Sequence, residues 1–400
     1  HAILFPLQTQ EIVMHYFIIA GEASGDLHGS FLIEAIKARD PETIITFLGG
    51  DKMAAAAGSA PVIHCNDMAF MGFSEVLRNI GTISRNMTSA RQAIELAAPD
   101  CLILIDYPSF NLKMAAFARK LGIPVYYYIS PKIWAWKKWR VRDIRRDVRM
   151  VFSILPFEPI FYKNHKARAV YVGNPSVGEV DAELSHLQPR PDFLKTNHLP
   201  DKPLIALMPG SRRSEIRNNL EIMLDAAKRF PASKAVIIGA PGTPDALYAA
   251  CGAAGIPVLR ASHATAILAH CRAALVTSGT ATLETALAGV PQVVLYRANG
   301  SRISYRLMSA ILDIKYVSLP NLIADRGIIP ELLLHNCTAD NAAKELAPLL
   351  QPDSAARTAQ LEGYAAMRAA LGTADAPANT AKAIISDLAR LKSSQESKNH

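Results

Sequence analysis

The sequence lacks the marks of a disulfide-bonded, zinc-binding or membrane-spanning protein. Its five cysteines, at positions 65, 101, 251, 271 and 337, show no C-x-x-C and no paired spacing. That pattern suits free thiols in a reducing compartment. The 11 histidines contain no H-E-x-x-H, so no zinc site is expected. There is no Asp-x-Asp, the kind of clustered carboxylate that holds a diphosphate through Mg²⁺ or Mn²⁺. Long apolar runs are also missing. The stretch from Ala273 to Tyr296 has Glu284 as its only charge, but Gly279, Gly289 and Pro291 make it read as strand, turn, helix, strand. Residues 1–13 show neither a basic n-region nor a small-residue cleavage site. Met14 is the expected start, and a cytoplasmic location is expected.

What is present is apolar material and positive charge. Half of the residues are hydrophobic and 20% are charged, a globular composition that excludes a disordered chain. At 400 residues the chain is too long for one ordinary core, which favours two domains. Lys and Arg total 43 against 35 Asp and Glu, a surplus of +8 that suits an anionic partner.

Short apolar runs alternate with amphipathic segments. Tyr16–Ala20, Ile44–Leu48, Cys101–Ile105, Val125–Ile129 and Val151–Leu155 read as buried strands, with helices such as Leu27–Ala38, Ile83–Ala97 and Leu112–Leu121 between them. Continuous apolar strands with helices between them indicate an α/β fold with a parallel sheet covered on both faces. The pattern breaks in a proline-rich stretch and then restarts at Leu204. The expected division is a first domain over 14–173, a linker over 174–203 and a second domain over 204–370. A helix near 375–392 is expected to complete the first domain. With two such domains, the cleft between them is the expected site.

Several turns carry chemistry. Gly21-Glu22-Ala23-Ser24-Gly25-Asp26 follows the first strand, and its glycines at 21, 25 and 29 do not fit G-x-G-x-x-G. Glu22 and Asp26 would repel a pyrophosphate but could accept hydrogen bonds from sugar hydroxyls. Asp106 ends the strand Cys101–Ile105, where a carboxylate could take a proton from an attacking hydroxyl or cap the helix that starts near Asn111. Met71-Gly72-Phe73 opens a segment that is either an ordinary core helix or an apolar surface for an acyl chain. Trp134, Trp136 and Trp139 stand beside seven Lys/Arg between Lys137 and Arg149. This suits a lipid–water interface, single-stranded nucleic acid or a solvated helix with a packed entry. In the second half, Gly210-Ser211-Arg212 and Ser278-Gly279-Thr280 each follow a strand and open a helix, as a pair of diphosphate-binding turns would. Glu284 could accept both hydroxyls of a ribose, and Asn321 could bind nucleotide or sugar.

Taken in order, Gly21-Glu22-Ala23-Ser24-Gly25-Asp26, Met71-Gly72, Asp106-x-Pro-x-Phe110-Asn111, Ser130-Pro131 with Trp134-Ala135-Trp136, Leu155-Pro156-Phe157-Glu158, Pro209-Gly210-Ser211-Arg212, Ser278-Gly279-Thr280-Ala281 and Ser318-Leu319-Pro320-Asn321 closely resemble the lipid-A-disaccharide synthase family. The resemblance runs from about Tyr16 to Leu350. It implies a GT-B fold of two Rossmann-like domains. It also implies inverting, metal-independent transfer of 2,3-diacylglucosamine from its UDP donor to 2,3-diacylglucosamine 1-phosphate, with no cofactor beyond UDP as donor moiety and product. Asp106 matches the family's essential aspartate and Glu22 an important glutamate. Arg212, Glu284 and Asn321 match nucleotide-side positions, in the company of Gly210, Ser211, Ser278, Gly279 and Thr280. The acceptor and lipid side would be Ser24, Asp26, Met71, Phe73, Asn111, Trp134 and Trp136. The expected partners are the acylated glucosamines and the inner-membrane cytoplasmic leaflet, bound peripherally, with no nucleic acid and a homodimer left open. A UDP-sugar 2-epimerase, or a GT-B enzyme with another lipid acceptor, would share the architecture. Tyr107, Ser109 and Lys132 depart from what is common in the family.

Overall fold

The computed structural model describes residues 13–68, 80–134, 138–297 and 315–397. The chain divides into two compact units, one of His1–Pro175 with Ala374–His400 and one of Ser176–Thr373.

In the first unit seven parallel strands are arranged in the order β3-β2-β1-β4-β5-β6-β7. They are β1 His15–Ala20, β2 Ile44–Gly49, β3 Ile63–His64, β4 Cys101–Ile105, β5 Val125–Tyr128, β6 Met150–Ser153 and β7 Ala169–Tyr171. The central strands are apolar throughout because both faces are covered. Alternate residues of β1 go to opposite sides. Tyr16 and Ile18 pack with Ile384 and Leu388 of the helix Ala376–Glu396, while Phe17 and Ile19 pack with Ile94 and Met114. That C-terminal helix is also tied polarly to the sheet. The Tyr126 hydroxyl donates to Asp387 at 2.7 Å, and Arg149 pairs with the same carboxylate.

The second unit repeats the plan with six parallel strands in the order β10-β9-β8-β11-β12-β13. They are β8 Leu204–Met208, β9 Lys234–Ile238, β10 Val258–Leu259, β11 Ala273–Thr277, β12 Gln292–Tyr296 and β13 Glu331–Leu333. The stretch expected to be a linker is built into this unit instead. It forms the helices Pro175–Ser185 and Arg190–Thr196, and Phe193, Leu194 and Leu199 are buried in the core. The prolines explain the difference. Pro175 is the first residue of one helix, and Pro189 and Pro191 stand at the N-cap and first turn of the other. There the missing N–H costs nothing, so they begin helices rather than break them.

Both sheets reverse their order once. The first turns between β1 and β4, which pair from Tyr16↔Cys101 to Ala20↔Ile105. The second turns between β8 and β11, which pair from Ala273↔Ile205 to Val276↔Met208. Loops leaving the carboxyl ends of such a strand pair diverge to opposite faces and open a crevice, the usual ligand position in open α/β sheets.

Candidate active site

The crevice of the first unit is made by the turns after β1 and β4. Gly21 is required by a close approach, since a Cβ there would lie 2.2 Å from the Tyr107 ring. The Tyr107 hydroxyl donates to the Met68 carbonyl at 2.7 Å and pins that ring. Asp106 and Tyr107 have φ of 44° and 47°, and Ile129, at the end of the neighbouring β5, has φ of 57°. Left-handed backbone at three non-glycine residues, one of them β-branched, costs on the order of 1–3 kcal/mol each and persists only where surroundings enforce it. The enforcing bonds are visible. The Asp106 amide donates to the Ile129 carbonyl at 3.2 Å, and the Asp106 carbonyl accepts from the Tyr127 hydroxyl at 2.6 Å and from Asn111 Nδ2 at 2.7 Å. The strained turn sets Asp106 directly after the last residue of β4. Burial raises its pKa above the ordinary carboxylate range, opposed by the Lys132 ammonium and the Tyr107 amide.

Three expected acceptor-side residues spend their polar atoms or their surface differently. Asn111 is fully buried and donates to the carbonyls of Ile105 and Asp106, so it holds the turn. Asp26 is buried as well. Its carboxylate accepts from the amides of Gly50, Lys52 and Met53 at 2.7, 3.1 and 3.0 Å, the free N–H groups where the helix Asp51–Ala57 begins. Asp26→Ala should therefore lower stability by on the order of 3 kcal/mol, and Asp26→Asn by about half as much, read from denaturant midpoints. Trp134 is 8% exposed and points inward, its Nε1 donating to Glu158 Oε1 at 2.9 Å and its ring meeting Phe157 edge-on at 5.0 Å. Ser24 is exposed, and Glu22 is half-buried, close enough for its charge to help raise the Tyr107 phenol. Met71, Phe73 and Trp136 lie outside the described residues.

In the second unit, Gly210 has φ of 109°, and a Cβ there would meet Glu215 Oε2 at 2.4 Å. That oxygen accepts from the amides of Ser211 and Arg212 at 3.1 and 3.2 Å. Glu215 thus fills two amides expected to cradle phosphate. The Arg212 guanidinium is 67% exposed and lies 3.5 Å from the same carboxylate. After β11, Gly279 caps the helix Thr280–Leu287, Thr280 is exposed, and Ser278 Oγ donates to the Val317 carbonyl at 3.1 Å. The two turns are linked beneath by Asn219 Nδ2, which donates to Thr277 Oγ1 at 3.1 Å. Glu284 is half-buried, and burial raises its pKa against the pull of His263. Asn321 differs from the expectation. Its Nδ2 donates to Ile329 O and Glu331 Oε1, and its Oδ1 accepts from the amides of Ile328 and Ile329. With the amide spent inside the protein, Asn321 shapes the loop.

Glu331 and Glu158 had no assigned role in the sequence. Glu331 accepts from the amides of Val317 and Ser318, from the Ser318 hydroxyl and from Asn321, yet it sits on a three-residue strand with no pattern to mark it. Glu158 is 1% exposed and accepts from Trp134 and from Ser153 Oγ; only the Pro-Phe-Glu-Pro run hinted at it. Among the described residues, no three His, Cys, Asp or Glu gather as a metal site. A cavity of about 910 Å³ lies at the amino ends of β4 to β7, lined by Arg119, Arg145, Arg149 and Arg168, and so at the sheet edge opposite Asp106.

Two doubly wound units, each with its turns at its own switch point, are the plan of the GT-B fold. The crystal structure of CalG4, the calicheamicin glycosyltransferase, matches with a TM-score of 0.56 at 16% identity over 95% of this chain and 99% of that one. The UDP-GlcNAc 2-epimerase of Neisseria meningitidis, bound to UDP-GlcNAc, matches at 0.57 and 13% over 94% and 100%. At such identities the likeness is one of fold. Sequence narrows it further: the family described as lipid-A-disaccharide synthetase matches residues 16–375. The lipid-A-disaccharide synthase of Acidobacterium capsulatum is 37% identical over 376 residues, 89% of this chain and 92% of that protein. The chain belongs to the lipid-A-disaccharide synthase family.

Proposed function

We propose that the protein transfers 2,3-diacylglucosamine from UDP-2,3-diacylglucosamine to 2,3-diacylglucosamine 1-phosphate, giving a β(1→6) disaccharide 1-phosphate and UDP. The observation that carries this reading, beside membership of the family, is Asp106: a desolvated carboxylate on an enforced, strained turn at a switch point. The acceptor 6-hydroxyl gives its proton to Asp106, its oxygen bonds to the anomeric carbon, and the bond from that carbon to the β-phosphate oxygen breaks. UDP leaves with the electron pair from the opposite face, which inverts the centre. Glu22, beside Tyr107, is assigned to acceptor hydroxyls. Arg212, Thr280 and the start of the helix Thr280–Leu287 are assigned to the leaving diphosphate, and Glu284 to the ribose. A guanidinium and helix N-terminal amides can carry that charge without a metal. Purified protein given both acylated sugars should release UDP and form the disaccharide phosphate, read by mass spectrometry. Epimerised UDP-sugar formed without acceptor, and no disaccharide, would overturn the reading.

Both substrates carry acyl chains, while no helix among the described residues is long and apolar enough to cross a membrane. We infer peripheral binding to an anionic leaflet, centred on Trp139, which is 61% exposed, with Arg140 and Arg142. The lower part of the basic segment is otherwise engaged. Arg146 pairs with Asp143 and Asp147, and Arg149 with Asp387. Replacing Arg140 and Arg142 by Ala should weaken binding to vesicles containing anionic phospholipid by roughly tenfold or more at low salt, at about 1 kcal/mol per cation. Binding indifferent to salt and to these changes would refute the electrostatic part.

A further inference from the structure

The loop after β5 starts against the Asp106 turn, where the Ile129 carbonyl accepts the Asp106 amide at 3.2 Å, and three residues on it carries a cation, Lys132, that the proposed reaction has not used. Ser130, Pro131, Ile133 and Trp134 are buried, and Lys132 is the exposed residue of the run. The loop is fixed at both ends. The Ile129 carbonyl accepts the Asp106 amide, and Trp134 is anchored on Glu158, whose other oxygen takes the Ser153 hydroxyl at 2.5 Å.

We propose that Lys132 is a positioning residue for the transfer: its ammonium is the counter-charge of the Asp106 carboxylate, and the buried Trp134–Glu158 hydrogen bond holds its loop in place. This rests on Asp106 acting as the base. A base must be ionised, and burial of Asp106 favours the protonated form. Lys132 is the foremost charge working against that burial, and Asp106 and Glu158 are the two anions acting on Lys132. Lys132 is exposed by area, yet the protein around its ammonium lowers its pKa. Other groups also act on the turn. The Tyr107 amide bonds the carboxylate, the Tyr127 hydroxyl takes the Asp106 carbonyl, Arg140 reaches Ser109 at 3.4 Å, and Glu22 acts on Tyr107. Glu158, pushed up to about 7 by burial, stands behind Lys132.

The test is the pH profile of kcat/KM. Activity falls as pH drops through the pKa of Asp106, and without the cation that pKa rises. Lys132→Met should move the acid limb upward by about one unit or more, with the high-pH plateau within a few-fold of the parent. Lys132→Arg should restore the limb. Glu158→Gln keeps an acceptor for Trp134 and should leave the limb in place, whereas Glu158→Leu, if folded, should shift it as Lys132→Met does. An unmoved limb in Lys132→Met, or a loss confined to KM for the phosphate-bearing acceptor, overturns the inference. Full turnover by Asp106→Asn would instead remove the base assignment itself, a separate failure.

Discussion

Asp106→Asn should lose roughly 10²–10⁴-fold in turnover while keeping its fold and its affinity for UDP, the usual contribution of a positioned general base. The amide has nearly the shape of the carboxylate and keeps an oxygen for the Tyr107 amide, and the bonds to Ile129, Asn111 and Tyr127 that enforce the turn use the Asp106 backbone. Stability should therefore change little, which separates lost chemistry from lost structure. UDP binding is assigned to the other unit, so it provides an internal control. Single-turnover kinetics with saturating donor, together with calorimetric titration of UDP, would check both halves. Turnover close to the parent would discard the base, and loss of UDP affinity would mean that the substitution acts through structure.

Arg212→Ala should cost roughly 10²–10³-fold in kcat, about 3–4 kcal/mol, the range for removing one donor that faces developing charge. In the structure this guanidinium is 67% exposed, and its ion pair with Glu215 is long, at 3.5 Å. Exposed pairs of this kind are worth about 0–1 kcal/mol, so the folded state barely depends on it and the side chain is available to a phosphate. Stability should hold, and Arg212→Lys should recover only part of the rate because an ammonium cannot offer two parallel N–H groups. An unchanged rate in Arg212→Ala would move the leaving-group contact to Thr280 and the helix behind it.

Strand ends and glycine turns were legible because their pattern is local. β1, β4, β8 and β11 are apolar runs that stop at Gly21, Asp106, Pro209 and Ser278, and the candidate turns follow directly. The two- and three-residue edge strands β3, β7 and β13 were not found, since so short a segment has no period to detect. The proline-rich stretch was misread because a proline that starts a helix has the same letter as one that ends it. The misassigned polar residues share one cause. Sequence shows that Asp26, Asn111 and Asn321 can donate or accept, but which partner takes those atoms depends on residues 24 to 27 positions away for Asp26, five or six for Asn111 and up to ten for Asn321. Trp134 was read as a lipid contact by residue type, and its partner Glu158 is 24 positions away.

The first unit is interrupted: its sheet is left at Pro175, and its last helix arrives only after Thr373. During synthesis, Tyr16, Ile18 and Tyr126 must wait, one flank uncovered, until Ile384 and Leu388 emerge from the ribosome. The intervening unit can complete itself in that interval, which lasts roughly ten seconds or more at ordinary elongation rates. The half carrying Asp106 is therefore the last to mature, and a nascent chain stalled short of Ala376 would present an unfinished hydrophobic face to chaperones.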